Sequence, residues 1–177
     1  MKSVARRGCV RVSDVLRQQY ELIKSTRQIL FAFLGEIPLQ ELHTTVPDFG
    51  NGSIIRTHIH VADCYRYWLG SFAMQQKRAD FSFATDHELE HSDVLQVRDR
   101  FRSADEAVER FFAEFDGRWS DKIANEVRWQ EEPWGTTPLW LLTHTETHEF
   151  HHKGQIVSMA RRLGYSPPGT DLEAPAL

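Results

Sequence analysis

Apolar residues recur at the spacing of an α-helix in four long stretches of this chain. These stretches predict helices over residues 13–35, 53–77, 104–122 and 137–163. The connection over 123–136 could hold an extended piece, but its sequence predicts no strand pairing. Four long helices joined by connections of about 14–26 residues are typical of a four-helix bundle. We therefore expect an all-α fold in a single domain spanning residues 1–177.

Residues that start and stop helices support most of these boundaries. Ser53 and the pair Thr137-Pro138 are good first positions for the second and fourth helices. The stretch Ser103-Ala-Asp-Glu106 has the pattern of a capping box for the third helix, and Ser13-Asp14 can cap the first. Gly164 is the natural end of the fourth helix.

Composition excludes some classes of protein. The chain is 41% hydrophobic and 26% charged, with a net charge of −4, so it offers no basic face for nucleic acid. Its two cysteines, Cys9 and Cys64, fit no metal or redox spacing. No apolar segment resembles a signal peptide or reaches the roughly 18 residues of a membrane span. We expect a cytoplasmic protein that acts on small molecules.

The predicted fourth helix carries a cluster of four histidines between residues 142 and 156. His144, His148 and His152 recur every four residues and so share one helix face. His148 and His152 also lie in the middle of the apolar stripe that runs from Leu141 to Leu163. Hydrogen bonds within a core could satisfy two such imidazoles, but paired histidines at this spacing favour a divalent metal site.

Two histidines are too few for a tight site, so a third ligand should come from the second helix. Two candidates are present, His58 and His60. Helical periodicity favours His58, because it lies at the centre of the apolar arc with Ile54 and Tyr65. His60 lies to one side of that arc, beside Cys64.

The residues around these histidines resemble a known family. The stretch His60-Val-Ala-Asp-Cys-Tyr-Arg-Tyr-Trp68, together with His148-Glu-Phe-His-His152-Lys-Gly-Gln-Ile, is similar to motifs of the DinB/YfiT-like family. The resemblance implies a four-helix bundle that holds one divalent metal ion with three histidines. It assigns the ligands to His60, His148 and His152, and it also implies a homodimer. A three-histidine site suits nickel, zinc, copper and iron alike, and we expect nickel or zinc.

Other residues are expected to support the site. His144 could be a fourth ligand or part of a pocket wall, but we expect it to lie just outside the ligand shell. His151 points away from His152 and is expected to be exposed or bonded to a carboxylate. Asp63, Glu146 and Glu149 could orient the ligand imidazoles. Four aromatic residues are candidate pocket walls: Tyr65, Tyr67, Trp68 and Trp134.

Three neutral imidazoles leave a metal ion its full charge and at least one open position, as in catalytic sites. Such an ion can activate either a thiol or a water molecule. The resemblance favours a thiol S-transferase, because characterised relatives use low-molecular-weight thiols such as bacillithiol. The function expected is therefore metal-dependent transfer of a thiol to an electrophile, in detoxification or stress. A metal-dependent hydrolase and a non-catalytic metal-binding stress protein are the alternatives.

Overall fold

The computed structural model describes residues 10–75 and 81–172, most of which are helical. None of the helices in these ranges is long and apolar enough to cross a membrane. The elements in chain order are α1 (Val12–Leu34), α2 (Leu39–Leu42), α3 (Ile54–Tyr65) with a π-helical continuation (Arg66–Ala73), α4 (Asp86–His91), α5 (Val94–Glu114), β1 (Ile123–Val127), β2 (Gln130–Thr136) and α6 (Pro138–Arg162).

The two helices that carry the histidines begin where the sequence predicts. Ser53 Oγ accepts a hydrogen bond from the backbone N–H of Arg56, which fixes the first turn of α3. The hydroxyl of Thr137 likewise accepts a hydrogen bond from the backbone N–H of Trp140 and fixes the first turn of α6, which contains Pro138. Gly164, at a φ of 93°, ends α6 in the left-handed conformation that glycine adopts without strain. The last predicted residues of the second helix, 76 and 77, lie outside the described residues.

The predicted bounds of the third helix were wrong. α5 starts at Val94, because Asp93 and Gln96 form a capping box there by exchanging two hydrogen bonds of 2.8 Å. Ser103 therefore lies inside the helix, which ends at Glu114. The cap proposed for α1 was also wrong, since Ser13 lies within that helix and its buried hydroxyl accepts from Trp119 Nε1 at 2.9 Å.

A β-hairpin in residues 123–136 corrects the all-α expectation. β1 and β2 pair antiparallel, with Ile123 opposite Thr136 and Asn125 opposite Trp134. The hairpin is tied to the end of the π-helical segment, because Asn125 Nδ2 donates to the carbonyl oxygen of Phe72 at 2.7 Å. This bond satisfies one of the carbonyl groups that the end of a helix leaves free. The protein is thus mostly helical with a small two-stranded sheet.

The packing of the long helices determines where the histidines meet. α3 packs against both α5 and α6, and α1 packs against the same two helices. Fully buried apolar side chains from all four fill the space between them, among them Leu34, Ile55, Phe111 and Ile156. Each such side chain contributes about 1.5–3 kcal/mol through burial. The contact of α3 with α6 brings the histidines of the two helices together.

Candidate metal centre

Three histidine side chains from two helices converge between α3 and α6. His60 belongs to α3, and His148 and His152 belong to successive turns of α6. His148 Nε2 lies 3.3 Å from His60 Nε2 and 3.1 Å from His152 Nε2. One ring nitrogen from each histidine lies within 4.8 Å of those of the other two. Over residues 10–75 and 81–172, this is the one group of three or more potential ligand residues with such spacing.

The separation of the nitrogens fits a shared divalent ion. A metal–nitrogen bond of about 2.1 Å puts two ligand nitrogens about 3.4 Å apart at the tetrahedral angle and about 3.0 Å apart at a right angle. The two short distances around His148 Nε2, 3.3 and 3.1 Å, lie in this range. His60 is exposed while His152 is buried, so one side of the group faces solvent. A further ligand could therefore reach an ion held there.

Burial keeps the three imidazoles neutral. Burial, together with the neighbouring histidines, lowers the pKa of His148 to about 3. Burial lowers the pKa of His152 to about 4, although its hydrogen bond with Gln155 acts in the opposite direction. The pKa of His60 is also lowered by burial, while Asp63 opposes that shift. At neutral pH all three rings therefore have an unprotonated nitrogen, which is the form that binds a metal ion.

One hydrogen bond sets the orientation of His152. Its Nδ1 donates to Gln155 Oε1 at 2.7 Å, which leaves the Nε2 lone pair directed at the other two histidines. Gln155 was not predicted as a site residue, although its position one turn after His152 is a signal that could have identified it. The buried Nδ1 of His148 has no hydrogen-bond partner among the described residues. An unsatisfied buried nitrogen costs about 1–3 kcal/mol, and such groups are tolerated mainly at functional sites.

Comparison with known proteins connects this geometry to a family. The sequence model of the DinB family matches residues 11–176. The chain belongs to the DinB family. It is similar to Protein DinB of Bacillus subtilis (strain 168), with 24% identity over 166 residues that cover 90% of this chain and 92% of that protein. The match therefore includes both helices that carry the histidines.

The DinB motif and helical periodicity favoured different third histidines, and the structure places His60 in the cluster. His58 is instead buried in the core, where its ring lies 4.7 Å from that of Phe31 and 4.9 Å from that of Phe101. Burial and the nearby Arg27 lower the pKa of His58 to about 3. The choice of His58 from the apolar arc was wrong, because that arc faces the core whereas the histidine cluster lies at its edge.

The aspartate of the DinB motif has a structural role. Asp63 is buried and accepts two hydrogen bonds from Arg100, at 2.6 and 3.1 Å, and one from Arg66 at 3.1 Å. It also accepts from the backbone N–H of Ala84 at 2.9 Å. Asp63 therefore joins α3 to α5 and to the segment after residue 80. The sequence suggested that Asp63 could orient a ligand imidazole, and the structure corrects this expectation.

The two glutamates of α6 are also bonded away from the histidines. Glu149 binds the buried Arg27 of α1 through two hydrogen bonds, at 2.7 and 2.9 Å, and Asp105 of α5 binds the same guanidinium at 2.6 Å. Glu146 accepts from Gln19 at 2.6 Å, and burial raises the pKa of Glu146 to about 7. Neither carboxylate orients a ligand histidine, so that expectation is corrected for both.

The two remaining histidines of α6 lie outside the cluster. His144 stacks on Trp140 with ring centroids 4.8 Å apart and planes 6° apart, and its ring lies 5.7 Å from that of His148. It thus forms a wall beside the cluster. His151 is exposed, as expected, and its Nε2 lies 3.1 Å from the amide nitrogen of Gln155, which is not a carboxylate.

The four candidate wall residues occupy three different environments. Trp68 and Trp134 contact each other, with ring centroids 5.4 Å apart, and Trp68 also contacts the ring of His144 at 5.6 Å. Tyr67 lines a separate cavity of about 830 Å³ beside the hairpin. Tyr65 is fully buried in the core. Only the two tryptophans therefore lie beside the wall formed by His144.

Proposed function

We propose that this DinB-family protein is a metal-dependent enzyme that transfers a low-molecular-weight thiol to a small electrophile. The convergence of three neutral imidazoles at a solvent-facing edge of the core is the observation that carries the proposal. His60, His148 and His152 would hold one divalent ion, with Gln155 fixing the ring of His152. Such an ion, when bound, lowers the pKa of a thiol ligand so that the thiolate forms near neutral pH.

The donor set and the family support our proposals for the metal and the thiol. Imidazole nitrogens suit nickel and zinc, which we propose as the ions bound. The DinB resemblance supports a thiol of the bacillithiol type as the co-substrate. The exposed side of His60 would let both reactants approach the same face of the site.

The carboxylates near the histidines favour thiol transfer over hydrolysis. A metal-dependent hydrolase gains from a free general base beside the metal-bound water. Asp63 and Glu149 are each bound to arginine side chains, and Glu146 is bound through one of its two oxygens to Gln19 of α1. A thiol needs no such base once it is deprotonated as a ligand. The arrangement therefore supports the S-transferase more than the hydrolase.

A conjugation assay tests the proposal directly. Protein loaded with nickel or zinc is mixed with monochlorobimane and a panel of thiols, and the fluorescent conjugate is measured against the reaction without protein. We expect turnover that requires both metal and thiol, and that His148→Ala abolishes. His91→Ala is the matched control, because His91 is exposed on α4, and it should keep full activity. Metal binding without turnover with any thiol would contradict the proposal and support a non-catalytic stress protein.

We propose the same biological setting that the sequence suggests. The chain would be a single domain in which the four long helices form a bundle, supported by the contacts of α1 and α3 with α5 and α6. It would act as a homodimer in the cytoplasm on small molecules, and not on nucleic acid or membranes.

A further inference from the structure

We propose that four tryptophans beside the histidine cluster form a binding surface for a planar, uncharged aromatic group of the substrate. We call Trp68, Trp129, Trp134 and Trp140 the tryptophan surface. The proposal rests on the proposed function in one respect: it gives the class of electrophile that the site would select. The binding itself requires neither metal nor thiol.

The tryptophan surface is assembled from three separate elements. Trp68 belongs to the π-helical segment, Trp129 and Trp134 to the hairpin, and Trp140 to the first turn of α6. The ring centroid of Trp134 lies 5.4 Å from that of Trp68, 6.2 Å from that of Trp129 and 5.2 Å from that of Trp140. The planes in these pairs are inclined by 52°, 68° and 68°. Trp129 and Trp140 stay exposed in this arrangement, so an added aromatic ring could pack against the indole area that they leave open.

The tryptophan surface is continuous with the histidine cluster. Trp140 is stacked on His144, and the ring of His144 lies 5.7 Å from that of His148. A ligand ring on the tryptophan surface would therefore lie beside the histidine cluster.

The four tryptophans of this surface are more exposed to solvent than Trp119, the fifth tryptophan of the chain. Trp129 is 56% exposed and Trp140 is 44% exposed, whereas Trp119 is 7% exposed and donates its indole N–H to Ser13. Burial of apolar surface stabilises a protein by about 25 cal/mol for each Å², and the indole area left in water does not gain this stabilisation. Adjacent exposed aromatic rings beside a candidate site are typical of a ligand surface rather than of ordinary surface composition.

Charge favours an uncharged aromatic ligand over a cation. A divalent ion held by the histidines would repel a cationic ligand on the adjacent surface. A neutral planar ring meets no such repulsion and gains from edge and face contacts with indole.

Nuclear magnetic resonance of the five indole N–H groups tests the proposal. The probe is 2-naphthalenemethanol, and its decahydro analogue, which has a similar apolar body without aromatic faces, is the control. In metal-free protein we expect naphthalenemethanol to shift the signals of the tryptophan surface and to leave that of Trp119 unchanged. The decahydro analogue should bind about three- to tenfold more weakly, since an aromatic pair adds about 0.5–1.5 kcal/mol beyond burial. Equal affinity for the two compounds would overturn the proposal.

Three substitutions locate the bound ring. Trp129→Leu and Trp140→Leu should each weaken naphthalenemethanol binding about three- to tenfold. Phe83→Leu is the matched control, because Phe83 is 43% exposed but lines the cavity that contains Tyr67 and Arg128. If Phe83→Leu weakens binding and the tryptophan variants do not, the ligand occupies that cavity and the proposal is wrong. Failure of thiol transfer would leave these binding results intact, so the two proposals fail separately.

Discussion

Gln155 is the side chain on which the orientation of His152 depends. Its amide oxygen accepts the Nδ1 hydrogen of His152 at 2.7 Å. We predict that Gln155→Leu lowers metal affinity about 10- to 100-fold, which is the usual effect of removing a hydrogen bond to a ligand histidine. Competition with a chelating dye measures the affinity. Gln18→Leu, at an exposed position on α1, is the matched control and should bind metal normally. Unchanged affinity in Gln155→Leu would show that the hydrogen bond is not needed.

His58 should make the protein sensitive to acid. Its pKa is lowered from the usual 6.5 to about 3 in the folded protein, chiefly by burial. Between these values the unfolded chain binds a proton that the folded protein does not. His58 therefore lowers the free energy of unfolding by about 1.4 kcal/mol for each pH unit below 6.5.

Replacing His58 isolates that contribution. Urea unfolding of His58→Leu at pH 7, 6 and 5 should show a weaker loss of stability with acid than the unmodified protein. His43→Leu serves as the control, because His43 is only half-buried at the end of α2, and its removal should leave the slope unchanged. An identical slope in His58→Leu would mean that the buried imidazole is protonated without unfolding.

The residues of the histidine cluster could be predicted only in part from the sequence. The i, i+4 spacing of His148 and His152 is local, so helical geometry alone placed both on one face. The choice between His58 and His60 could not be made from helical periodicity. Periodicity predicts which residues are buried in the core, whereas the histidine cluster lies at the edge of the core. The family motif supplied what periodicity could not. The partners of Asp63 and Glu149 were missed because Arg100 and Arg27 are distant in sequence.

At the scale of elements, Asp63 joins α3 to α5 through Arg100, with both side chains mostly buried. We predict that Asp63→Asn destabilises the protein by about 3–5 kcal/mol, because it removes the buried counter-charge shared by Arg66 and Arg100 and leaves Arg100 only the exposed Glu88. Denaturant unfolding measures the change. Asp99→Asn is the control, since Asp99 forms an exposed pair with Arg102 on α5 and should contribute about 0–1 kcal/mol. Similar losses in the two variants would contradict a special role for Asp63.

The elements were predicted best where their end signals are local and strong. The start and end of α6 are fixed by Thr137, Pro138 and Gly164, and the structure has them within one residue of the prediction. α5 was misplaced because Ser103-Ala-Asp-Glu106 has a capping-box pattern although it lies inside a helix. The hairpin was missed because its strand β2 is largely exposed and shows no apolar alternation. The hydrogen bond from Asn125 to Phe72 ties the hairpin to the π-helical segment, and it joins residues too distant in sequence to be predicted from local patterns.

At the scale of the molecule, metal binding should stabilise the whole chain, because the histidines belong to α3 and α6, which share one core. Metal at about 100 times its dissociation constant adds about 2.7 kcal/mol to the free energy of unfolding. For a chain of this size that raises Tm by about 5–11 °C. Calorimetry of metal-free and nickel- or zinc-loaded protein measures the shift. We expect one transition that moves as a unit, as a single domain requires.

The same calorimetry tests whether His60 is the third ligand and whether the chain unfolds as a single domain. His60→Ala should unfold at the Tm of the metal-free protein whether or not metal is added, because two imidazoles on one helix bind an ion weakly. His87→Ala, at an exposed histidine of α4, should retain the full shift. A full shift in His60→Ala would remove His60 from the site. Two transitions, of which metal moves only one, would mean that α3 and α6 unfold separately from the rest, and the chain would not be a single cooperative domain.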